Sequence, residues 1–421
     1  MYIISLMRSK QFHKTGTLKH VAMAAARKKA RILNLAEKHG TPFFLFDASE
    51  LRKSAAEFKN SFRRYLPSSR FFYAIKTNYH PYILKDVVKL GFGLDASSGR
   101  ELELALKAGA KEMLFSGPGK TDPELRLAIK HANRLILNID NFSELSRLAK
   151  IGLKKPLRAG VRFFSSQHEA WSKFGIPLSD IARFWQTAKQ IKNLQLQGLQ
   201  FHTSLHRTPD PYVKVISELG KYLRRNFPKE RLQEIKFIDI GGGFYPDRLD
   251  GYYPTSHTYP WARLPGKKAS DKYYITTADP VSQFARDISS VFSRELKPSL
   301  KEAELFVEPG RIIATSAMHL VLGVVDVKPN LAITDGGLNM MGWEFGQQFY
   351  LPIINLSNFS PREIKFPLYG SLCTPRDFWG TYIYAKKIMP GDVVVIPNQG
   401  AYRFALAQSF IKPIPPVLRL D

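Results

Sequence analysis

The 421-residue chain sets 62 lysines and arginines against 36 aspartates and glutamates, a net charge of +26, on a composition 44% hydrophobic and 23% charged. Such a chain fills a sizeable core, which excludes disorder over most of its length, and its single cysteine excludes a disulfide scaffold. No apolar run is long enough to span a bilayer, and Ile3-Ile4-Ser5-Leu6-Met7 is too short for a signal-peptide core, so the expected compartment is the cytoplasm.

The length predicts two domains, or one large α/β barrel with an appendage. The positive charge favours acidic partners. It is spread in short clusters such as Arg27-Lys28-Lys29 and Arg224-Arg225. No zinc-finger spacing, aromatic RNA-binding signature or basic-region heptad accompanies it, and no metal site is expected. Nucleic-acid binding is the non-enzyme alternative and rests on charge alone.

No acidic residue precedes Glu37, and the Ala-rich, Lys/Arg-rich stretch Val21–His39 predicts a surface helix within a basic extension over residues 1–39. A leading apolar run covers Pro42–Phe46. Eight further runs predict strands: Arg70–Lys76, Gly93–Ser97, Met113–Ser116, Arg134–Ile139, Leu157–Phe164, Leu196–His202, Ile235–Ile240 and Glu304–Glu308. Helical periods lie between them, as in Pro81–Leu90, Gly99–Ala108 and Pro211–Asn226. Strand-helix alternation makes a parallel sheet, and eight units in about 250 residues make a (β/α)₈ barrel. The barrel with its leading strand is assigned to residues 40–311. Beyond Arg311, runs such as Ala317–Val327, Leu331–Thr334, Phe349–Asn355 and Asp392–Pro397 are separated by turn residues, which predicts an antiparallel β domain over 312–421. The polar insertion Asp250–Ala278 precedes the eighth strand and is a candidate lid.

In such barrels the chemistry sits at the C-terminal ends of the strands. The first predicted strand ends in Lys76, whose ammonium loses hydration in a barrel mouth and becomes a nucleophile. The sixth ends in His202, the seventh runs into Gly241-Gly242-Gly243, and the eighth ends in Glu308-Pro309-Gly310-Arg311. The glycines suit a phosphate cradle of backbone N–H groups. Lysine, histidine, phosphate loop and glutamate together suit pyridoxal 5'-phosphate, the lysine forming an imine and the carboxylate keeping the pyridine nitrogen protonated.

Further segments stand in the same order along the chain: Tyr73-Ala74-Ile75-Lys76-Thr77-Asn78, Gly93-Leu94-Asp95-Ala96-Ser97-Ser98, Ser116-Gly117-Pro118-Gly119-Lys120-Thr121, Ser172-Lys173-Phe174-Gly175, Leu372-Cys373 with Asp377, and Gly400-Ala401-Tyr402. Together with the glycine triplet and the Glu308 segment, they resemble the fold-type III pyridoxal-phosphate decarboxylases, the family of diaminopimelate and ornithine decarboxylases, over roughly Gly40 to Leu420. The resemblance implies a barrel plus β domain in a homodimer with shared sites. Lys76 would carry the cofactor, His202 would stack on its ring, Glu308 would pair with its ring nitrogen, and Asp95 and Arg162 would line its surroundings. Gly241, Gly242, Gly243, Gly310, Arg311 and Tyr402 would hold the phosphate. Cys373 would reach the neighbouring subunit and deliver a proton after carbon dioxide leaves, with Thr374, Asp377 and Arg311 facing substrate, and Lys173 would meet the partner subunit's aspartate.

Three positions depart from the family pattern. His202-Thr203-Ser204-Leu205 replaces His-x-Gly-Ser, which moves the phosphate hydroxyl to Ser204. Thr374 replaces the acidic residue after the cysteine, and Arg403 follows Tyr402. Cys373-Thr374-Pro375-x-Asp377 is similar to a branch acting on modified or carrier-protein-tethered amino acids, and the expected substrate therefore lacks a free distal ammonium. Free meso-diaminopimelate is the main alternative, with Glu344 or Asp335 as candidate countercharges. A racemase on the same fold and a non-catalytic relative are the others.

Overall fold

The computed structural model describes residues 13–14, 17–166, 173–204, 206–253, 273–342 and 349–420. The chain divides into two compact units, one of residues 52–245 and 279–313, the other of residues 1–51, 246–278 and 314–421.

The first unit is a closed parallel barrel of eight strands: Arg70–Ala74, Gly93–Ala96, Met113–Phe115, Leu135–Ile139, Leu157–Phe164, Leu194–Gln200, Phe237–Asp239 and Glu304–Val307. Each pairs with the next in chain order, and the last returns to the first through Phe306 opposite Arg70 and Val307 opposite Phe71. Each predicted strand has its counterpart: Leu157–Phe164 matches at both ends, the sixth strand begins and ends two residues earlier than predicted, and the other six are shorter by one or two residues at one or both ends. Helices between the strands turn one apolar face inward and are capped locally. Thr121 and Glu124 form a reciprocal capping box, and Ser98 and Asn141 cap the helices that follow them.

The barrel interior is packed by aromatic rings. Phe237 and Phe306 stack with centroids 4.5 Å apart, in a cluster with Phe72, Leu114 and Ile136. Gly198 makes this possible, since a Cβ there would lie 2.0 Å from the Phe237 ring.

The second unit is built on an eight-stranded sheet with the order Leu331–Thr334, Glu363–Tyr369, Phe378–Tyr384, Ile353–Asn355, Val393–Ile396, Met318–Lys328, Phe43–Asp47, Val417–Leu420. Met318–Lys328 also pairs with Leu331–Thr334, closing six of the strands on themselves. Most pairings are antiparallel, as expected. Three are parallel, including Phe43–Asp47 with Val417–Leu420. The leading strand therefore lies in this sheet and not with the barrel. All five of its residues are buried, so it needs neighbours on both edges, and Met318–Val321 and Val417–Leu420 supply them.

The predicted helix over Val21–His39 is two helices, Lys19–Arg27 and Lys29–His39. They meet at Lys28, whose ammonium reaches Asp47 at 2.5 Å and Glu50 at 3.1 Å. Ala22, Ala25 and Ile32 turn into a core shared with Phe43, Leu45 and Val321. The ends of the polar insertion form short antiparallel strands, Gly251–Tyr252 and Tyr274–Thr276, while its middle, residues 254–272, lies outside the described residues. Among the described residues, no helix is long and apolar enough to cross a membrane.

Candidate active site

The barrel strands deliver the predicted residues to one end of the first unit. Lys76 sits in the 3₁₀ turn Ile75–Thr77 directly after the first strand. Its ammonium lies 3.6 Å from Asp95 Oδ2 at the end of the second strand, and the side chain stays about one-third exposed. Asp95 is fully buried. Its Oδ1 accepts from the Ser116 hydroxyl, and its Oδ2, beside the Lys76 ammonium, has no hydrogen bond among the described residues. Arg162, on the fifth strand, donates to the Ser116 carbonyl at 3.3 Å and lies over the Phe174 ring at 4.4 Å. Burial lowers its affinity for the proton, against the pull of Glu308, Asp140, Asp95 and Asp239.

His202 follows the sixth strand, with its Nδ1 3.4 Å from Ser204 Oγ. The Gly241–Gly243 loop packs tightly. A Cβ on Gly242 would lie 2.5 Å from the Glu308 carbonyl, and one on Gly243, whose φ is +100°, would lie 2.3 Å from the Thr203 carbonyl. Only glycine fits there. The Gly241 N–H is not open to a phosphate, because it donates to Asp239 Oδ1 at 3.0 Å. Gly310 is equally constrained, since a Cβ would lie 2.0 Å from Thr77 Oγ1.

Glu308 is 1% exposed and accepts from Gln200 Nε2 at 3.3 Å. Burial, then the charges of Asp239 and Asp95, push its carboxyl well above the usual range. Asp239 is pushed from 3.8 to about 6, chiefly by burial. The two side chains are hydrogen-bonded to each other. The acid pair is therefore Asp239 with Glu308; Asp239, Gln200 and Asn138, which donates to Asp239 Oδ2 at 3.3 Å, are not among the residues expected from the sequence. The available signal was an aspartate inside an apolar strand, two residues before a glycine triplet. A further pair, Lys120 and Glu144, meets at 2.9 Å with both side chains at or below 1% exposure, and Lys120 also donates to the Asn138 carbonyl. Burial lowers the Lys120 proton affinity and raises that of Glu144.

Cys373, Thr374, Asp377, Tyr402 and Asp335 belong to the second unit, whereas Lys173 and Arg311 belong to the first. Cys373 is an exposed thiol, followed by a partly buried Thr374. Asp377 is 1% exposed, and its two oxygens accept from the Leu338 and Leu372 backbone N–H groups, each at 2.7 Å. The carboxylate expected to face Lys173 of a partner thus holds the cysteine loop within its own unit. Lys173 lies over the Phe174 ring at 5.1 Å. Tyr402 adopts a φ of +61° beside Gly400, where a Cβ would lie 1.7 Å from the Ala314 carbonyl. The Asp335 carboxylate accepts from the Gly323 N–H at 3.0 Å. Leu205, Ser172 and Glu344 lie outside the described residues.

Comparison with known proteins gives this arrangement its context. A family model described as "Pyridoxal-dependent decarboxylase, pyridoxal binding domain" matches residues 48–315. The chain is 25% identical to a diaminopimelate decarboxylase of Aquifex aeolicus over 399 residues, 89% of this chain and 85% of that protein. It is 24% identical to an L-glutamyl-[BtrI acyl-carrier protein] decarboxylase of Niallia circulans over 403 residues, 89% and 87% of the two chains. Among solved structures, a diaminopimelate decarboxylase of M. jannaschii in complex with L-lysine superposes with a TM-score of 0.75 at 23% identity, covering 92% of this chain and 89% of the other. A lysine/ornithine decarboxylase of Vibrio vulnificus complexed with putrescine superposes with a TM-score of 0.72 at 23% identity, covering 94% and 99%. The strand-end lysine, the buried acid pair and the glycine loop thus stand in a chain that belongs to the pyridoxal-dependent decarboxylases, the family of diaminopimelate and ornithine decarboxylases.

Proposed function

We propose that this pyridoxal-dependent decarboxylase removes the α-carboxylate of a modified or carrier-tethered amino acid that carries no free distal ammonium. The observation that supports this reading is Thr374 directly after Cys373. A hydroxyl offers a neutral hydrogen bond and no countercharge. An unpaired buried ammonium would cost several kcal/mol, on the order of three decades in specificity. Asp335, a candidate to replace the missing charge, is engaged on the backbone of its own sheet.

The barrel residues fit pyridoxal phosphate. Asp95 Oδ2 is buried without a hydrogen bond beside Lys76, the Asp239–Glu308 pair is an acid site at the end of adjacent strands, and the Gly242–Gly243 loop leaves no room for side chains. When bound, the cofactor supplies an aldehyde and a ring that accepts the electron pair left by departing carbon dioxide. Lys76 is proposed to anchor it, with Asp95 positioning the ammonium. Glu308, backed by Asp239 and Gln200, holds or releases a proton at the carboxyl facing the ring nitrogen. His202 would flank the ring, Arg162 would balance the buried carboxylates, and Gly242, Gly243, Gly310 and Arg311 would hold the phosphate.

Cys373 is proposed to deliver the closing proton in a partner copy's barrel, which makes the active unit a homodimer. A reducing cytoplasm keeps that thiol available. The net charge of +26 would steer an acidic carrier protein. The Niallia circulans relative, described as acting on a glutamyl group on an acyl-carrier protein, supports the tethered reading. The diaminopimelate decarboxylases among the relatives support a second one, free meso-diaminopimelate.

The test compares kcat/KM for free diaminopimelate, ornithine and lysine with that for an acylated or carrier-bound amino acid. The tethered or acylated substrate is expected to lead. Efficient turnover of free diaminopimelate, unaffected by Thr374→Val, would overturn the proposal.

A further inference from the structure

We propose that Arg207 is a phosphate-binding residue that forms, with Arg311, a two-guanidinium clamp for the cofactor's phosphate. The inference rests on the phosphate placement proposed above and assigns a residue outside the resembling motifs.

Two of the expected phosphate donors are engaged elsewhere. Gly241 gives its N–H to Asp239, and Ser204, the residue expected to supply the phosphate hydroxyl, places its oxygen 3.4 Å from His202 Nδ1. A dianionic phosphate needs several strong donors, and the loop after the sixth strand offers a charged one instead. That loop is strapped to the glycine loop. The His206 N–H donates to the Gly243 carbonyl at 3.0 Å, the Tyr245 N–H donates to the His206 carbonyl at 3.2 Å, and His206 and Phe244 form a parallel bridge. The Asp279 N–H donates to the Arg207 carbonyl at 2.8 Å. The backbone on either side of Arg207 is therefore fixed relative to Gly243.

The side chain is fixed as well. Arg207 is 9% exposed, and its guanidinium carbon lies 3.9 Å from the centroid of the Tyr245 ring, itself 5% exposed. The Arg311 guanidinium lies 5.0 Å from the same centroid. These three residues follow three adjacent strands, Leu194–Gln200, Phe237–Asp239 and Glu304–Val307. A bound dianion near that ring would attract both guanidinium groups. Packing against the Tyr245 ring restrains both guanidinium groups before an anion binds, so less freedom is lost when it does.

The test is an absorbance titration of the cofactor-free protein with pyridoxal phosphate and with pyridoxal, which lacks the phosphate. Wild type, Arg207→Gln, Arg207→Lys and Arg311→Gln are compared. Arg207→Gln is expected to weaken pyridoxal phosphate about 10- to 100-fold, as for a lost charge-assisted hydrogen bond, and to leave pyridoxal unchanged. Arg207→Lys is expected to recover part of the loss. If Arg207→Gln has no effect while Arg311→Gln weakens the phosphorylated form, the clamp is overturned and the phosphate placement stands. If neither substitution discriminates the two ligands, the placement itself is overturned. Equal weakening of both ligands by Arg207→Gln would make Arg207 a structural residue and also overturn the clamp.

Discussion

Asp239 and Glu308, at the ends of neighbouring parallel strands, share a hydrogen bond between two carboxyl groups, and that bond needs a proton on one of them. Burial pushes up the affinity of both groups for that proton, and the Asp239 and Asp95 charges add to it at Glu308. Raised carboxyls make the folded state bind more protons than the unfolded chain. The pair's contribution to stability is present below 3.8, is lost as pH rises through about 6 for Asp239, and falls in the same direction as the raised Glu308 carboxyl loses its proton. Thermal melts of the cofactor-free protein should carry this downward slope, and Asp239→Asn, which removes the like charge, should flatten it. An unchanged slope in that variant would exclude the pair as its source.

Replacing Lys76 by alanine should abolish the near-visible absorption band of the purified protein and its borohydride-reducible adduct, because no second lysine is placed beside Asp95 among the described residues. An adduct retained at the same site would remove Lys76 from its role.

The Lys120–Glu144 pair makes a stability prediction. Lys120→Met strands a buried carboxylate and should cost about 3–5 kcal/mol, whereas adding Glu144→Leu should recover much of it. Urea unfolding of the single and double variants measures the difference. A double variant as unstable as the sum of the singles would contradict it.

Gly310→Ala should disturb the lysine turn, since its Cβ would strike Thr77 Oγ1, adjacent to Lys76. The Thr77 hydroxyl is buried without a hydrogen bond, so Thr77→Ala costs little on its own and should rescue part of the lost cofactor affinity. Cofactor titration of the three variants checks this, and absence of any rescue would place the damage elsewhere.

If Cys373 serves a partner copy, mixing inactive Lys76→Ala and Cys373→Ala subunits should restore part of the activity. No recovery, with subunit exchange confirmed by mass, would argue for self-contained sites.

The strand-end residues Lys76, His202 and Glu308 were legible because a polar residue closing an apolar run has only one place to go in a barrel. Asp239 and Asn138 were not, because each is a single polar residue in an apolar strand, and Gln200 was not, because it is one of three glutamines in Leu194–Gln200; none of these gives a local sign of facing the others across the barrel. Glu363–Tyr369 was missed for another reason. Pro367 interrupts it, and the ladder to Phe378–Tyr384 shifts register between Lys365 and Leu368 to accommodate the missing N–H. The destination of Phe43–Asp47 was hidden because its partners lie at the far end of the chain.

That last placement governs how the protein is made. Phe46 pairs with Met318 on one edge and Arg419 on the other, so the leading strand must wait for nearly the whole nascent chain. At about 5–20 residues per second, the wait lasts tens of seconds on the ribosome. Through that interval a fully buried Phe-Phe-Leu-Phe segment has no sheet to join, which makes it a natural ligand for a chaperone.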